Sequence, residues 1–330
     1  MADCVPDARY LASPDFIATT LHYFTLVEIP VLTFGAYCIL FKTPPQMNSV
    51  KFLMLNLHFW SALSDLVISC FGIPYILLPA PAGYGLGIIN APAVLIYCLV
   101  TLLGALTAAV MAIYENRYYS LFGKYTFWKH IRKFYLFLVF SLVPVFFLPP
   151  YFNIPEQEYA RSVIHQMLPC LPPFTYHDHP LFVIALSYDL PIYCVASMMV
   201  ILAVSISVFC VLTIHHMWGK ALLTKLSMRT LRMQKSFALA LTVQSVFMLS
   251  VVLTPVLIIL WIIVKWHHDQ ALNNFVFITF SLHGVGSTIV MIFVHKPYRD
   301  FTFCCIPACQ KNERDAKQNN LKGIPPSVIL

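Results

Sequence analysis

The chain has 330 residues, 59% of them hydrophobic and 11% charged. A soluble domain carries roughly 25% charged residues, and no polar stretch here is long enough to form one, so composition points to one membrane domain with short ends. The net charge of +7 could suggest nucleic acid, but its placement along the chain argues for membrane surfaces instead.

Residues 1–18 carry Asp3, Asp7 and Asp15 against Arg9. They lack the basic start and small-residue cleavage site of a signal peptide, so the first hydrophobic helix is expected to be its own insertion signal. A helix needs ~20 apolar residues to cross a bilayer. Spans of that kind are expected at 19–41, 52–78, 92–114, 134–149, 182–214, 236–264 and 272–294. The first stops at Lys42-Thr43-Pro44-Pro45, because proline cannot continue a helix. The third is uncharged over 91–114 and then meets Glu115-Asn116-Arg117, which must lie at a surface, since charge inside lipid is costly. The fourth is the weakest, with Pro144 inside it and Pro149-Pro150 at its end. Pro30, Pro74, Pro92, Pro144, Pro191 and Pro255 stand in or beside six spans, which membrane helices tolerate because neighbours satisfy the freed carbonyls. The expected fold is an all-α membrane protein, a seven-transmembrane helix bundle. No inverted repeat of the transporter type is visible.

Seven spans put the two ends on opposite sides. With the N-terminus outside, 18 of the 21 lysines and arginines fall in inner segments; Arg9, Arg161 and Lys265 fall outside. Basic residues favour the cytoplasmic side, so this split predicts residues 1–18 outside, a bundle over 19–294 and a cytoplasmic tail over 295–330. Basic loops anchor the bundle to membrane lipid and are also placed to meet a cytoplasmic partner.

The longest outer loop, 151–181, carries Cys170 and His177-Asp178-His179. One His-Asp-His cluster without spaced partners is read as loop polarity, so no metal is expected. The ten cysteines contain no C-x-x-C pair. Cys170 faces an oxidising compartment and can form a disulfide; Cys98, then Cys4 and Cys70, are its candidate partners. Cys304, Cys305 and Cys309 closely follow the last span, a juxtamembrane palmitoylation pattern. Inside the spans, Asp65, Glu28 and Asp189 are functional candidates by default. Asp65 lies 13 residues from the start of its span, ~20 Å along a helix. No nucleophile–base set, paired catalytic carboxylates or phosphate loop appears, so neither an enzyme nor a cofactor is expected.

Seven short motifs, in order along nearly the whole chain, carry a resemblance. They are KTP at 42–44, PYILLP at 74–79, YENR at 114–117, LPC at 168–170, QKSF at 234–237, HGVGST at 283–288 and HKPYRDF at 295–301. The chain resembles the nematode serpentine receptors of class H. That resemblance implies a G protein-coupled chemosensory receptor in the plasma membrane of a sensory cilium, with a small-molecule ligand, a heterotrimeric G protein as partner, and no nucleic acid. Arg117 matches the arginine of the receptor triplet, and Glu115 stands where its acid stands, with Asn116 between. These three and Lys235, in the motif opening the sixth span, are the expected G protein-coupling residues. Asp65 matches the second-helix aspartate of an intramembrane polar network. Pro92 occupies about the place of the common third-helix cysteine, and Cys98 lies nearly two turns deeper.

Bundle cavities are mostly apolar with a few placed polar groups. The outer halves of four spans supply that mix: Tyr97 and Thr101, then Tyr188, Asp189 and Tyr193, then Thr254 and Trp261, then Phe277 and Ser281. A ligand held there shifts a two-state equilibrium, with Pro191 and Pro255 as hinges. The rival reading is a ligand-gated channel or transporter, with Asp65, Glu28 and Asp189 lining a pathway.

Overall fold

The computed structural model describes residues 9–168, 175–176, 179–218 and 228–304. Helix α1 (Pro14–Lys42) begins earlier than expected, because Ser13 and Pro14 start it: the Ser13 hydroxyl accepts from the Phe16 amide at 3.1 Å and Pro14 needs no donor partner. Helix α2 (Asn48–Leu66) widens into a π-helical turn over Val67–Gly72. It was expected to run to residue 78 and does not. Ile73 is left-handed, with φ 37°, and Pro74 cannot donate to the helix ladder. The chain instead forms strand β1 (Pro74–Ile76), which turns back antiparallel onto β2 (Ala82–Gly85). Gly83 permits this close pairing: a Cβ there would lie 2.5 Å from the Tyr75 carbonyl oxygen.

Helix α3 (Pro92–Leu121) is the central element. The weak fourth segment is α4 (Trp128–Leu142), a turn containing Pro144, and α5 (Leu148–Phe152). The loop between the fourth and fifth segments contains a helix that apolar-run reading passed over, α6 (Gln157–Met167). It is amphipathic and polar on average, so it shows no membrane signal. Strands β3 (Thr175–Tyr176) and β4 (His179–Pro180) pair with each other, while β5 (Phe182–Val183) joins β2. Gln157 fastens α6 to β5 twice: its Nε2 donates to the Val183 carbonyl, and its Oε1 accepts from the Val183 amide, each at 3.0 Å.

Phe182 and Val183 were expected in the fifth span. They are spent on β5, and the helix α7 (Asp189–Trp218) begins seven residues later than expected. Pro191 therefore falls in a first turn, where its missing N–H costs nothing, and not in the helix interior where it was expected to act as a hinge. Helix α8 (Met228–Lys265) keeps Pro255 in its interior. The seventh span is two helices, α9 (Gln270–Ser281) and α10 (His283–Val294), broken at Leu282. A short helix, α11 (Lys296–Cys304), follows.

Six helices among the described residues are long and apolar enough to cross a membrane: α1, α2 with its wide turn, α3, α7, α8, and α9 with α10. The shorter α4 packs against α3 and α7 through Tyr135 and Val139, completing the expected helix bundle. Small residues Ala105, Ala108, Ala109 and Ala112 let neighbours approach α3 closely. At one end, Ile17, Leu21, Ile73, Tyr75, Leu77, Ile164 and Leu181 pack the hairpin, α6 and the bundle into one apolar cluster.

Candidate functional site

Three sites lie along the bundle. The first is a cavity of about 260 Å³ beneath the hairpin. Its roof includes Ile76, Leu78 and Tyr84; its walls include Leu95, Ile96 and Leu99 of α3, Ile259 of α8 and Phe277 of α9. A second, deeper cavity of about 140 Å³ shares Leu99, Val100 and Phe277 with the first, and reaches Ser64 and His283. The larger volume approaches the ~300 Å³ lower end of small-molecule sites.

Of the nine residues expected at a ligand site, Tyr188 and Phe277 line the larger cavity. The others lie elsewhere. Tyr97 donates to the Pro144 carbonyl at 2.8 Å and its ring packs on Tyr151. Thr101 Oγ1 is buried without a hydrogen bond. Asp189 and Tyr193 are exposed, Thr254 bonds to the Ser250 carbonyl, and Trp261 packs edge-on against His267. Ser281 is buried and bonds to the Ile278 carbonyl. The cavity's aliphatic walls escaped sequence reading because a Leu facing a ligand and a Leu facing lipid look alike in one dimension.

The second site is a buried polar cluster in mid-bundle. Asp65 Oδ1 lies 2.7 Å from His283 Nδ1. The same carboxylate accepts from the Gly284 and Val285 amides, each at 3.2 Å. It thus caps the start of α10 from another helix, satisfying donors that a helix N-terminus leaves free. Gly284 is required here, since a Cβ would collide with the Asp65 carboxylate and lie 2.9 Å from Ser61 Oγ. His283 faces Ser61 on its other nitrogen at 3.4 Å. Nearby, Ser69 donates to Glu28 Oε2 at 2.6 Å, and Thr25 donates to the Ser69 carbonyl at 3.1 Å. Glu28 Oε1 is buried without a hydrogen bond. His58 bonds to the Leu32 carbonyl at 2.8 Å. His283 entered the sequence reading only inside a motif; its spacing from Asp65 carries no signal of their contact.

The third site is at the opposite end from the hairpin. Glu115 is fully buried. Its carboxylate accepts from Trp128 Nε1 at 2.7 Å and from Arg132 Nε at 2.9 Å. Arg132 also donates to Asn116 Oδ1 at 2.9 Å and stacks over the Tyr119 ring. Glu115 is therefore held by α4. Arg117 is buried one residue beyond Asn116. Burial, and then the charge of Arg117, pushes the His295 imidazole down to about 4, so His295 is neutral at physiological pH and stands close to that guanidinium. Lys235 lies on α8, with its side chain outside the described residues. Cys98 is half-buried on α3, and its candidate partner Cys170 lies outside the described residues. Cys304 ends α11; Cys305 and Cys309 lie outside the described residues. No cluster of three metal-ligating side chains occurs among the described residues.

A bundle of seven segments and an acid-x-Arg triplet at the end of the central helix define a serpentine seven-helix receptor. The chain belongs to the family described as Serpentine type 7TM GPCR chemoreceptor Srh, which matches residues 12–308. It is 28% identical over 307 residues to Serpentine receptor class H-72 of Caenorhabditis elegans, covering 90% of this chain and 88% of that protein. Membership makes it a multi-pass membrane chemoreceptor of a receptor family, not an enzyme family.

Proposed function

We propose that this receptor takes a small environmental molecule into the cavity beneath the hairpin and signals from the Arg117 end to a heterotrimeric G protein. One observation carries the reading: the cavity wall at Leu95 and the buried Arg117 stand on the same helix, 22 residues or ~33 Å apart. The deeper cavity reaches His283, whose partner Asp65 caps α10. Ligand pressing on this floor therefore biases α10, which runs to His295 beside Arg117. Pro255 remains as the hinge within α8.

The hairpin end faces outside and the Arg117 end faces the cytoplasm in this reading, supported by the 18-to-3 split of basic residues. Residues 295–330 form the inner tail, where acyl chains on Cys304, Cys305 and Cys309 add ~0.8 kcal/mol of membrane affinity per buried CH₂. The receptor then acts in the plasma membrane, in a sensory cilium. The test is expression with a promiscuous G protein, with glycosylation sequons engineered at 156–159 and 310–320. The first sequon is glycosylated, the second is not, and odorant screening yields responses that Arg117→Ala abolishes at normal surface level. A glycosylated tail, or responses unchanged by Arg117→Ala, refutes the reading.

A further inference from the structure

The larger cavity has a chemistry that narrows its ligand. No charged side chain lines it; its polar side chains are Tyr84 and Tyr188. Tyr84 is built into the hairpin, its ring 6.2 Å from Tyr75. Tyr188 differs. Its hydroxyl is buried and makes no hydrogen bond. A buried hydroxyl without a partner is unfavourable, and a ligand acceptor that reaches it from the cavity this residue lines removes that cost. A water molecule would need ~2–4 polar partners to settle there, and an apolar wall supplies few. The adjacent carboxylate, Asp189, is exposed and does not line the cavity, so nothing on the lining pairs with a cation or an anion. At ~30 Å³ per small group, 260 Å³ holds roughly nine non-hydrogen atoms.

We infer that the ligand is a neutral, mostly apolar molecule of about that size, carrying one hydrogen-bond acceptor that takes the Tyr188 hydroxyl. This rests on the reading of the cavity as the ligand site. Apolar contact supplies most of the affinity and is tolerant of shape, while the single hydroxyl fixes orientation. The acceptor distinguishes this ligand from a hydrocarbon, and its neutrality distinguishes it from an amine or a carboxylate.

The test uses the full-length receptor in lipid nanodiscs, with empty nanodiscs to subtract partition into lipid. The probes are 2-octanone, octane, octylamine and octanoic acid, with uptake read by headspace gas chromatography or equilibrium dialysis. Saturable binding of 2-octanone is expected, with octane weaker and the two charged probes no better than octane. Tyr188→Phe keeps the ring and weakens 2-octanone about 2- to 10-fold, the range of one neutral hydrogen bond, while leaving octane unchanged. Ile96→Trp fills the cavity and removes saturable uptake of both. Unchanged 2-octanone binding in Tyr188→Phe, tighter binding of a charged probe, or no saturable uptake in the wild type overturns the inference. G protein nucleotide exchange is read in parallel. Tyr188-dependent binding without exchange keeps this inference and removes the receptor mechanism. Exchange driven by octylamine and insensitive to Ile96→Trp keeps the receptor mechanism and removes this inference.

Discussion

Helices α3 and α10 differ from α7 and α8 in how they are held. In the most apolar window of α3, and of the α9–α10 span, 56% of residues are buried; in α7 and α8 the figure is 17%. The hydroxyls divide the same way, although Gln244 of α8 also faces His295 Nε2 at 3.4 Å. Around α10, bonds cross between helices: Asp65 to His283 and to the Gly284 and Val285 amides, and Thr288 beside His58 at 3.5 Å. On α7 and α8, the hydroxyls of Ser205, Ser207, Thr242 and Thr254 turn back to carbonyls of their own helix. Helix α7 leans on α3 through apolar Met198, Leu202 and Phe209. In a bilayer, such contacts are exchanged for equivalent contacts with lipid tails. Displacing α7 or α8 therefore costs less than displacing α2 or α10, and the first pair is where movement belongs.

The largest test of that contrast is Asp65→Ala. It removes the acceptor of two helix-start amides and the carboxylate beside His283, whose Nδ1 keeps only the Phe280 carbonyl at 2.8 Å, a loss of ~3–5 kcal/mol. Thermal unfolding of the purified receptor should drop sharply, and surface level with it. Asp65→Asn, which keeps the shape, should lose less. A wild-type melting curve in Asp65→Ala would mean that the packed half is held by something else.

A smaller effect is expected at the Arg117 end, where α4 grips α3. Glu115→Gln and Arg132→Ala each weaken a charge-assisted hydrogen bond, worth ~1.5–3 kcal/mol. Both should raise basal nucleotide exchange, by about 10-fold where the bond holds only the resting state. Their agreement is the sharp part, because Glu115 is held by Arg132 and Trp128. A rise in Glu115→Gln without one in Arg132→Ala would remove α4 from the resting lock.

The smallest effect is on the hairpin face, where Arg9 pairs with Asp269 at 2.8 Å across an exposed surface. Burial alone would raise the Asp269 carboxyl; bonds from the Leu272 amide, Arg9 and the Ala271 amide outweigh it and hold it below its usual 3.8. A depressed carboxyl adds stability that is present above the unfolded value and is lost as pH falls through the folded one. Acidifying below about pH 4 should cost no more than ~0.5 kcal/mol, since exposed pairs contribute little. Asp269→Asn should flatten that dependence in melting temperature against pH. An equal slope in the variant would place the acid sensitivity elsewhere.

Much of the bundle was legible because a bilayer imposes a one-dimensional rule: enough apolar residues in a row to cross it. That rule marked seven segments and the charged end of α3, and it flagged Asp65 and Glu28 as polar groups within spans. It failed where length and hydrophobicity fit two structures. The 74–78 stretch is apolar enough for a helix, yet Ile73 and Pro74 turn it into strand β1, and Phe182 with Val183 joins the same sheet. Helix α6 was invisible for the opposite reason, being too polar to read as a span.

The sequence by itself determined how many times the chain crosses, where charge must stop, and which polar residues lie within the apolar spans. Those follow from the cost of polar groups in lipid, which depends on each residue and its near neighbours. Only the tertiary structure decided that Asp65 caps α10, that Glu115 belongs to Arg132, and that a hairpin roofs a cavity lined by Tyr188. These pairings join residues 17 to 220 positions apart. They are set by which helix faces meet, and hydrophobic length carries no information about that.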